Sequence, residues 1–386
     1  MKALIPFNRP HTVGTEFSCI SEVLANGHLS GGGPFARRCA DRLAALTGSA
    51  RVLLTPSCTA ALEMIALLSD LGPGDEVIMP SFTFVTTASA FVRCGVTPVF
   101  VDIRPDTLNL DERLVEEAIS ERTRAIVAVH YAGVGCELES LSEICSRHGM
   151  RLFEDAAQGL MASYRGHPLG AIGDLGAVSF HETKNITCGE GGALFVNDER
   201  LIERAEILHE KGTNRSRFLR GQVDKYTWVD VGSSYTLSDL NAAFLWAQLE
   251  QAEEITRRRL KIWERYHEAF AALEERGIAR RPRIPDECAQ NAHMYYLLMQ
   301  DQDARNQLIA NLAASGIQAV FHYVPLHSAS AGLEYGRTHG DLEVTTDASA
   351  RLVRLPLFPD LDQDAVARIT DAVYASAGVA ASFAGQ

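Results

Sequence analysis

The chain has 386 residues and a formal net charge of −13, from 36 Lys plus Arg against 49 Asp plus Glu. With 46% apolar and 22% charged residues it has the composition of an ordinary globular protein rather than a disordered one. The acidic balance argues against a protein that lives on phosphate backbones or anionic membranes, and no run of about 18 apolar residues suggests a spanning helix.

The first chemistry-bearing stretch is Thr55-Pro56-Ser57-Cys58-Thr59-Ala60-Ala61-Leu62, small polar residues followed by an apolar period. It reads as the start of a helix over Thr59–Leu71, closed by the turn Gly72-Pro73-Gly74-Asp75. Strands are expected at Glu76–Met79, Pro98–Asp102, Ala125–His130, Arg151–Glu154, Ala177–Phe180 and Ala193–Val196. Helices are expected at Thr83–Cys94, Asp111–Ser120 and Leu138–His148 between the earlier ones. This alternation predicts an α/β fold, a mostly parallel sheet with helices on both faces.

Ser238–Glu275 carries one long helical pattern, in which Arg257-Arg258-Arg259 reads as a solvated face. Beyond the Pro- and Arg-rich Arg280–Pro285, a strand at His293–Met299, a helix at Arg305–Ala314 and a strand at Ile317–His322 predict a smaller α+β domain. The division falls near residue 250, giving a large domain 1–250 and a small one 251–386. Ala375–Gln386, rich in Ala, Ser and Gly, is expected to fray. The start MKALIPFNRPHTVG has too short an apolar run for a secretory signal. Eight cysteines form no CxxC or Cys/His zinc pattern. Reduced thiols, a cytoplasmic location and no metal are the expectation.

Only five of the 36 basic residues are lysines (Lys2, Lys184, Lys211, Lys225, Lys261), so 31 are arginines. Arginine cannot form an imine, because it stays protonated and delocalised. Lys184 stands apart: it follows a predicted strand and precedes the Gly-rich turn Cys188–Gly192. In parallel α/β sheets ligands bind outside the carboxyl ends of the strands, and those ends gather several groups here. Lys184 can form a Schiff base with a carbonyl cofactor. Asp155, at the end of another strand, can pair with a pyridine ring nitrogen and keep it protonated. The helix start at Ser57-Cys58-Thr59 offers free N–H groups to a phosphate, and Phe84 offers a stacking face. Taken singly, each is also found as a cap, a loop ion pair or a core ring. Jointly they are what pyridoxal phosphate (PLP) requires.

At these residues the chain resembles the DegT/DnrJ/StrS-type sugar aminotransferases, PLP enzymes of the aspartate-aminotransferase fold (fold type I). The likeness runs from Ile5-Pro6-Phe7-Asn8 to about Tyr374. Its most specific pieces are Pro73–Ile78, Glu154-Asp155-Ala156-Ala157-Gln158, Ser179–Asn185 and Gly189-Glu190-Gly191-Gly192. The resemblance implies that Lys184 bonds to the cofactor and that Asp155 faces its ring nitrogen. It implies that Gln158 lies near the ring oxygen, that Phe84 and Ala157 cover the two ring faces, and that Cys58, Thr59 and Ser179 hold the phosphate. Many relatives add a phosphate-binding Asn from the partner subunit. In Gly232-Ser233-Ser234-Tyr235 this chain has Ser234 there. A homodimer with sites between subunits is implied as well.

Four further segments, Leu53–Thr59, Val129–Gly133, Lys211–Ser216 and Gly221–Trp228, resemble members that aminate the C4 ketone of the nucleotide sugar dTDP-4-dehydro-6-deoxy-D-glucose, with L-glutamate as donor. The implied reaction is a two-stage amino transfer with Lys184 as the acid and base. His322 and His327 follow the last predicted strand, and His322 is the expected sugar contact. Glu182 and Arg215 are further candidates. Cys58 and Cys188 have no sequence-evident base and read as small packed groups. The alternatives are a C3 or other nucleotide-sugar aminotransferase of the family and a non-catalytic PLP-binding relative. A nicotinamide dehydrogenase is disfavoured, since no GxGxxG follows a first strand.

Overall fold

The computed structural model describes residues 4–379. Lys2 and the last seven residues of the Ala375–Gln386 segment lie outside that range. The strands in chain order are β1 (Arg51–Thr55), β2 (Glu76–Pro80), β3 (Thr97–Val101), β4 (Thr123–Val129), β5 (Arg151–Asp155), β6 (Ser163–Tyr164) and β7 (His167–Pro168). They continue with β8 (Leu175–Ser179), β9 (Gly192–Val196), β10 (Ala279–Arg280), β11 (Cys288–Ala289), β12 (Tyr295–Met299), β13 (Arg337–Thr338) and β14 (Leu352–Leu355).

Eight strands form one sheet in the order β1-β9-β8-β5-β4-β2-β3-β13. The neighbours from β8 to β13 run parallel, and only β9 runs against its two neighbours, β1 and β8. The expected mostly parallel sheet is therefore what the chain forms, with β1 as a strand not foreseen. β2, β8 and β9 are buried at every position, as strands of a sheet are when helices cover both faces. One face packs on the helices Cys58–Leu68 and Val85–Val92 through Met64, Ile65, Phe91 and Phe153. The other packs on Glu112–Ala118 and Leu138–His148 through Val115, Leu141 and Ile144. Beside them, Glu16–Asn26, Pro34–Thr47 and Asp239–Glu250 bury Val23, Phe35, Leu43 and Leu245. Among the described residues no helix is long and apolar enough to cross a membrane.

A second, antiparallel sheet β10-β12-β14 carries its own core of Tyr266, Phe270, Tyr295, Leu312, Ile369 and Val373. The pattern over Ser238–Glu275 is not one helix. It breaks at Gln251 (φ −115°, ψ 16°) and at Phe270 (φ −93°, ψ 8°) into Asp239–Glu250, Ala252–Ala269 and Ala271–Glu275. Asp239–Glu250 serves the core beside the large sheet, whereas Ala252–Ala269 starts in that core with Ala252 and Ile255 and passes into the small-sheet core with Ile262, Trp263 and Tyr266. Arg259 also departs from the solvated face expected of its run. It is buried and donates from Nε to the Ala292 carbonyl (3.0 Å) and from Nη2 to that of His293 (2.8 Å).

Ile317–His322 is not a strand. It makes single bridges, Ile317 to Ile5 and Val320 to Arg354. Pro356 and Pro325 follow these two stretches closely, and neither can donate to a continued ladder. At the end of the described chain, Ala375 and Ser376 still belong to the helix Gln363–Ser376 rather than fraying from it.

Candidate active site

The site forms where the carboxyl ends of the parallel strands meet the start of the antiparallel one. Cross-strand register sets Thr55 opposite Gly192, and Gly192 opposite Ser179. The end of β1, the beginning of β9 and the end of β8 thus lie side by side. From Thr55 the chain turns into the helix Cys58–Leu68, capped by Ser57, whose Oγ accepts the Ala60 N–H at 3.1 Å. Thr55 Oγ1 steadies this turn by donating to the Ser57 carbonyl (2.8 Å). First-turn N–H groups have no acceptor within a helix and carry the positive end of its dipole. Gly192 lets that turn come close: a Cβ there would lie 2.5 Å from the Cys58 nitrogen and 2.5 Å from the Ser57 carbonyl carbon. Burial pushes the Cys58 and Cys188 thiols up, the latter to about 12, so both stay neutral packing groups.

Asp155 closes β5 and is 5% exposed. Its Oδ1 accepts the N–H of Ala157 (3.1 Å) and its Oδ2 accepts the hydroxyl of Thr87 (2.7 Å). Gln158 is held at both ends: Oε1 accepts the Ala132 N–H (2.7 Å), and Nε2 donates to the Tyr323 hydroxyl (3.1 Å). Phe84 stands at the N-cap of the helix Val85–Val92, is 56% exposed and lines the cavity.

Lys184 lies in the loop after β8, its backbone N–H donating to the His181 carbonyl at 2.9 Å. Burial pushes its amine below the usual 10.5; Arg354 acts the same way, while Cys58 and Asp155 oppose the shift. Next to it, His293 and Asn185 pair at 3.1 Å between Nδ1 and Oδ1, and Asn185 Nδ2 donates to the Asn291 carbonyl at 2.8 Å. Burial holds the His293 ring well below the ordinary histidine range. A neutral ring facing an amide oxygen donates from Nδ1 and leaves Nε2 as an acceptor.

Cys58, Thr59, Phe84, Asp155, Ala157, Gln158, Ser179, Lys184 and His322 all line one cavity of about 510 Å³. His322 is a neutral wall residue, its ring pushed far down by burial and its Nδ1 3.1 Å from the Tyr131 hydroxyl. His327 turns the other way and pairs with Ser81 Oγ at 2.7 Å. His130 is a buried structural group, with Nε2 2.9 Å from Glu154 and Nδ1 accepting the Cys136 N–H. Ser234 does not line the cavity of its own chain; it is exposed and bridges to Glu210. Glu182 and Arg215 are absent from the lining as well, Arg215 pairing with Glu210 at 3.2 Å.

Sequence reasoning missed His293, Tyr323 and Arg354, which also line the cavity. Arg354 carried one usable signal, a lone cation inside the apolar run Leu352–Leu357. Its Nε is buried with no partner, and its guanidinium carbon lies 4.8 Å from the Phe7 ring centre.

The donor set suits PLP. A helix N-terminus with a close-fitting glycine and the hydroxyl of Ser179 can take its phosphate, an oriented carboxylate its ring nitrogen, an open aromatic one ring face, and a lysine with a lowered pKa its carbonyl carbon. Among the described residues no cluster of three or more His, Cys, Asp or Glu is placed to hold a metal ion.

Fold and site together define an aminotransferase of the pyridoxal-phosphate type. The chain belongs to the DegT/DnrJ/EryC1/StrS aminotransferase family, whose model matches residues 11–374. It is similar to the aminotransferase TlmJ from Streptoalloteichus hindustanus, at 31% identity over 97% of this chain and 99% of that one, with a TM-score of 0.90. It is similar to Spr1654 from Streptococcus pneumoniae, solved in a PMP-form, at 27% identity over 97% of this chain and 98% of that one (TM-score 0.90). Helicobacter pylori PseC, an aminotransferase of pseudoaminic acid biosynthesis, matches at 25% identity over 97% of this chain and 99% of that one (TM-score 0.89).

Proposed function

We propose that the chain is a PLP-dependent nucleotide-sugar aminotransferase. In this reading it moves the amino group of L-glutamate to the C4 ketone of dTDP-4-dehydro-6-deoxy-D-glucose and yields dTDP-4-amino-4,6-dideoxy-D-galactose. The observation that carries the class is one cavity holding Lys184, Asp155 and the helix turn at Cys58-Thr59. Support for a sugar comes from the relatives, among them the putative sugar aminotransferase Spr1654 and PseC of pseudoaminic acid biosynthesis, and the solved PLP-form of Spr1654 supports the cofactor. Support for the C4 ketone comes from the segments Leu53–Thr59, Val129–Gly133, Lys211–Ser216 and Gly221–Trp228. They resemble the dTDP-4-amino-4,6-dideoxygalactose transaminase of enterobacterial common antigen synthesis.

When bound, PLP supplies a reactive carbonyl carbon and an electron-withdrawing ring. The chain supplies the rest. Lys184 Nζ holds the carbonyl carbon and, once released, moves the proton of the donor's α-carbon as base and then acid. Asp155 keeps a proton on the ring nitrogen. The N–H groups of Cys58 and Thr59 and the Ser179 hydroxyl hold the phosphate, Gln158 borders the ring oxygen, and Phe84 and Ala157 cover the ring. Arg354, with its spare donors, suits a substrate anion, and His322 borders the sugar. The site is completed across a homodimer by Ser234 of a second copy, and the chain divides near residue 250 into a large and a small domain.

The test is incubation with glutamate and a panel of 4-keto and 3-keto nucleotide sugars, the position of the new amine read by NMR. A 4-amino product from the thymidine nucleotide is expected. A C3 amine, or strict preference for another base, would overturn the substrate and leave the family intact.

A further inference from the structure

Asp155 does not choose its own orientation. Its Oδ2 receives the Thr87 hydroxyl at 2.7 Å, from a residue 68 positions away in the chain. Thr87 lies in the first turn of the helix Val85–Val92, where a threonine commonly turns its hydroxyl back to the carbonyl four residues before. Here it reaches across to the end of β5 instead. Thr83 Oγ1 stands 2.8 Å from Thr87 Oγ1. A hydroxyl has one proton to give, and Thr87 gives its proton to the carboxylate, so Thr83 donates to Thr87. Both threonines are buried at 2% exposure or less, where an unbonded hydroxyl would be costly. The second carboxylate oxygen, Oδ1, is held separately by the Ala157 N–H. Between the two threonines sits Phe84, on the same turn.

We propose that the Thr83–Thr87 hydroxyl chain is a positioning device for the cofactor ring, fixing the Asp155 carboxylate at the height where Phe84 covers the ring face. This rests on the PLP reading above. Thr83 is among the residues that line the cavity and Thr87 is not. They act through Asp155, and because one turn carries both them and Phe84, the ring's edge partner and its cover move as a unit. Each carboxylate oxygen keeps a lone pair for the ring N–H after accepting its protein bond.

The test compares Thr87→Val, which keeps the shape and removes the hydroxyl, with Thr87→Ser, which restores it, and with Thr83→Val. The readouts are the Kd for PLP, the circular dichroism of its visible band, and kcat against KM for glutamate. Thr87→Val is expected to weaken PLP binding and to lower kcat by about tenfold each, the scale of one hydrogen bond to a charged group. The dichroic band should weaken while KM stays close to that of the wild type. Thr87→Ser should recover all three, and Thr83→Val should fall between. A Thr87→Val protein with unchanged Kd and band overturns the proposal, as does a serine variant that rescues nothing. A wild-type protein that takes up no PLP sinks the cofactor reading, and this inference with it.

Discussion

At the scale of single residues, Lys184 shows how a site can be read from a sequence and where the reading stops. Its rarity among arginines, the strand before it and the Gly-rich return after it were all visible in the linear chain. Its lowered basicity was not, because the burial behind it comes from residues far apart in sequence, Arg354 and His293 among those lining its cavity. The sign of the consequence is definite. A neutral amine attacks a carbonyl and an ammonium does not, and Lys184 reaches the neutral state below the usual 10.5. Uptake of PLP by the apo protein, followed by its visible absorbance, should therefore rise with pH and level off before that value. Lys184→Ala should show no covalent band at any pH. A rate still climbing at the ordinary lysine value would refute the lowered amine. Arg259 shows the opposite failure. A run of three arginines on a helix looked uniformly solvated, yet the third turns inward and ties down the backbone beside His293. Periodicity gives the face of a helix, not which neighbouring carbonyls lack a donor.

At the scale of elements, the parallel strands were legible because each is a short apolar run bounded by turn residues. Their edges shifted by only one or two positions. β1 was missed because Arg51–Thr55 has only three strongly apolar residues. Its pairing with β9, a strand some 140 residues later, is invisible locally. That pairing matters to the site, since it brings the helix Cys58–Leu68 against Gly192. The requirement at Gly192 is steric. Gly192→Ala would place a methyl against backbone at 2.5 Å, which no side-chain rotation relieves. The variant should lose PLP affinity by well over tenfold, by spreading the phosphate turn, and should lower the melting temperature. Overpacking of this kind costs about 1–3 kcal/mol. A calorimetric scan and a fluorescence titration with PLP check it together; wild-type affinity would mean that the turn is not the phosphate site. The long pattern at Ser238–Glu275 misled for a related reason. Apolar spacing continued through Gln251 and Phe270, but it addressed two different cores, and only the tertiary structure separates them.

At the scale of the whole molecule, the proposed homodimer has a visible surface to act through. The segment that carries Ser234 also exposes Trp228 (77%), Leu219 (68%), Val229 and Val231. So much apolar surface on one stretch is unusual for a monomer and suits a second copy of the chain. The chain should therefore sediment at about twice its 42.1 kDa. Trp228→Asp should shift it toward the monomer and, if Ser234 of a second copy reaches the phosphate, weaken PLP binding at the same time. A monomeric wild type with full PLP affinity would refute both halves. Nothing in the linear sequence marks such a surface, since a tryptophan bound for a core and one bound for a partner have the same side chain.

The earliest residues close the same wall as some of the latest. Ile5 exchanges backbone hydrogen bonds with Gly316 and Gln318 (2.9 and 3.0 Å), and the Phe7 N–H donates to the Gln318 side-chain oxygen (3.2 Å) across 311 positions. Phe7 and Asn8 then line the cavity beside Arg354. During synthesis, Lys184 and Asp155 are outside the ribosome long before residue 354 is made. At about 5–20 residues per second the wait is on the order of ten seconds or more. Over that interval the amine and carboxylate exist without their wall, and Ile5 and Phe7 have no Gly316–Gln318 stretch to meet. The cavity wall is thus complete only after residue 354 is made, and Phe7 and Asn8 join it only once Gly316–Gln318 is present to hold Ile5 and Phe7.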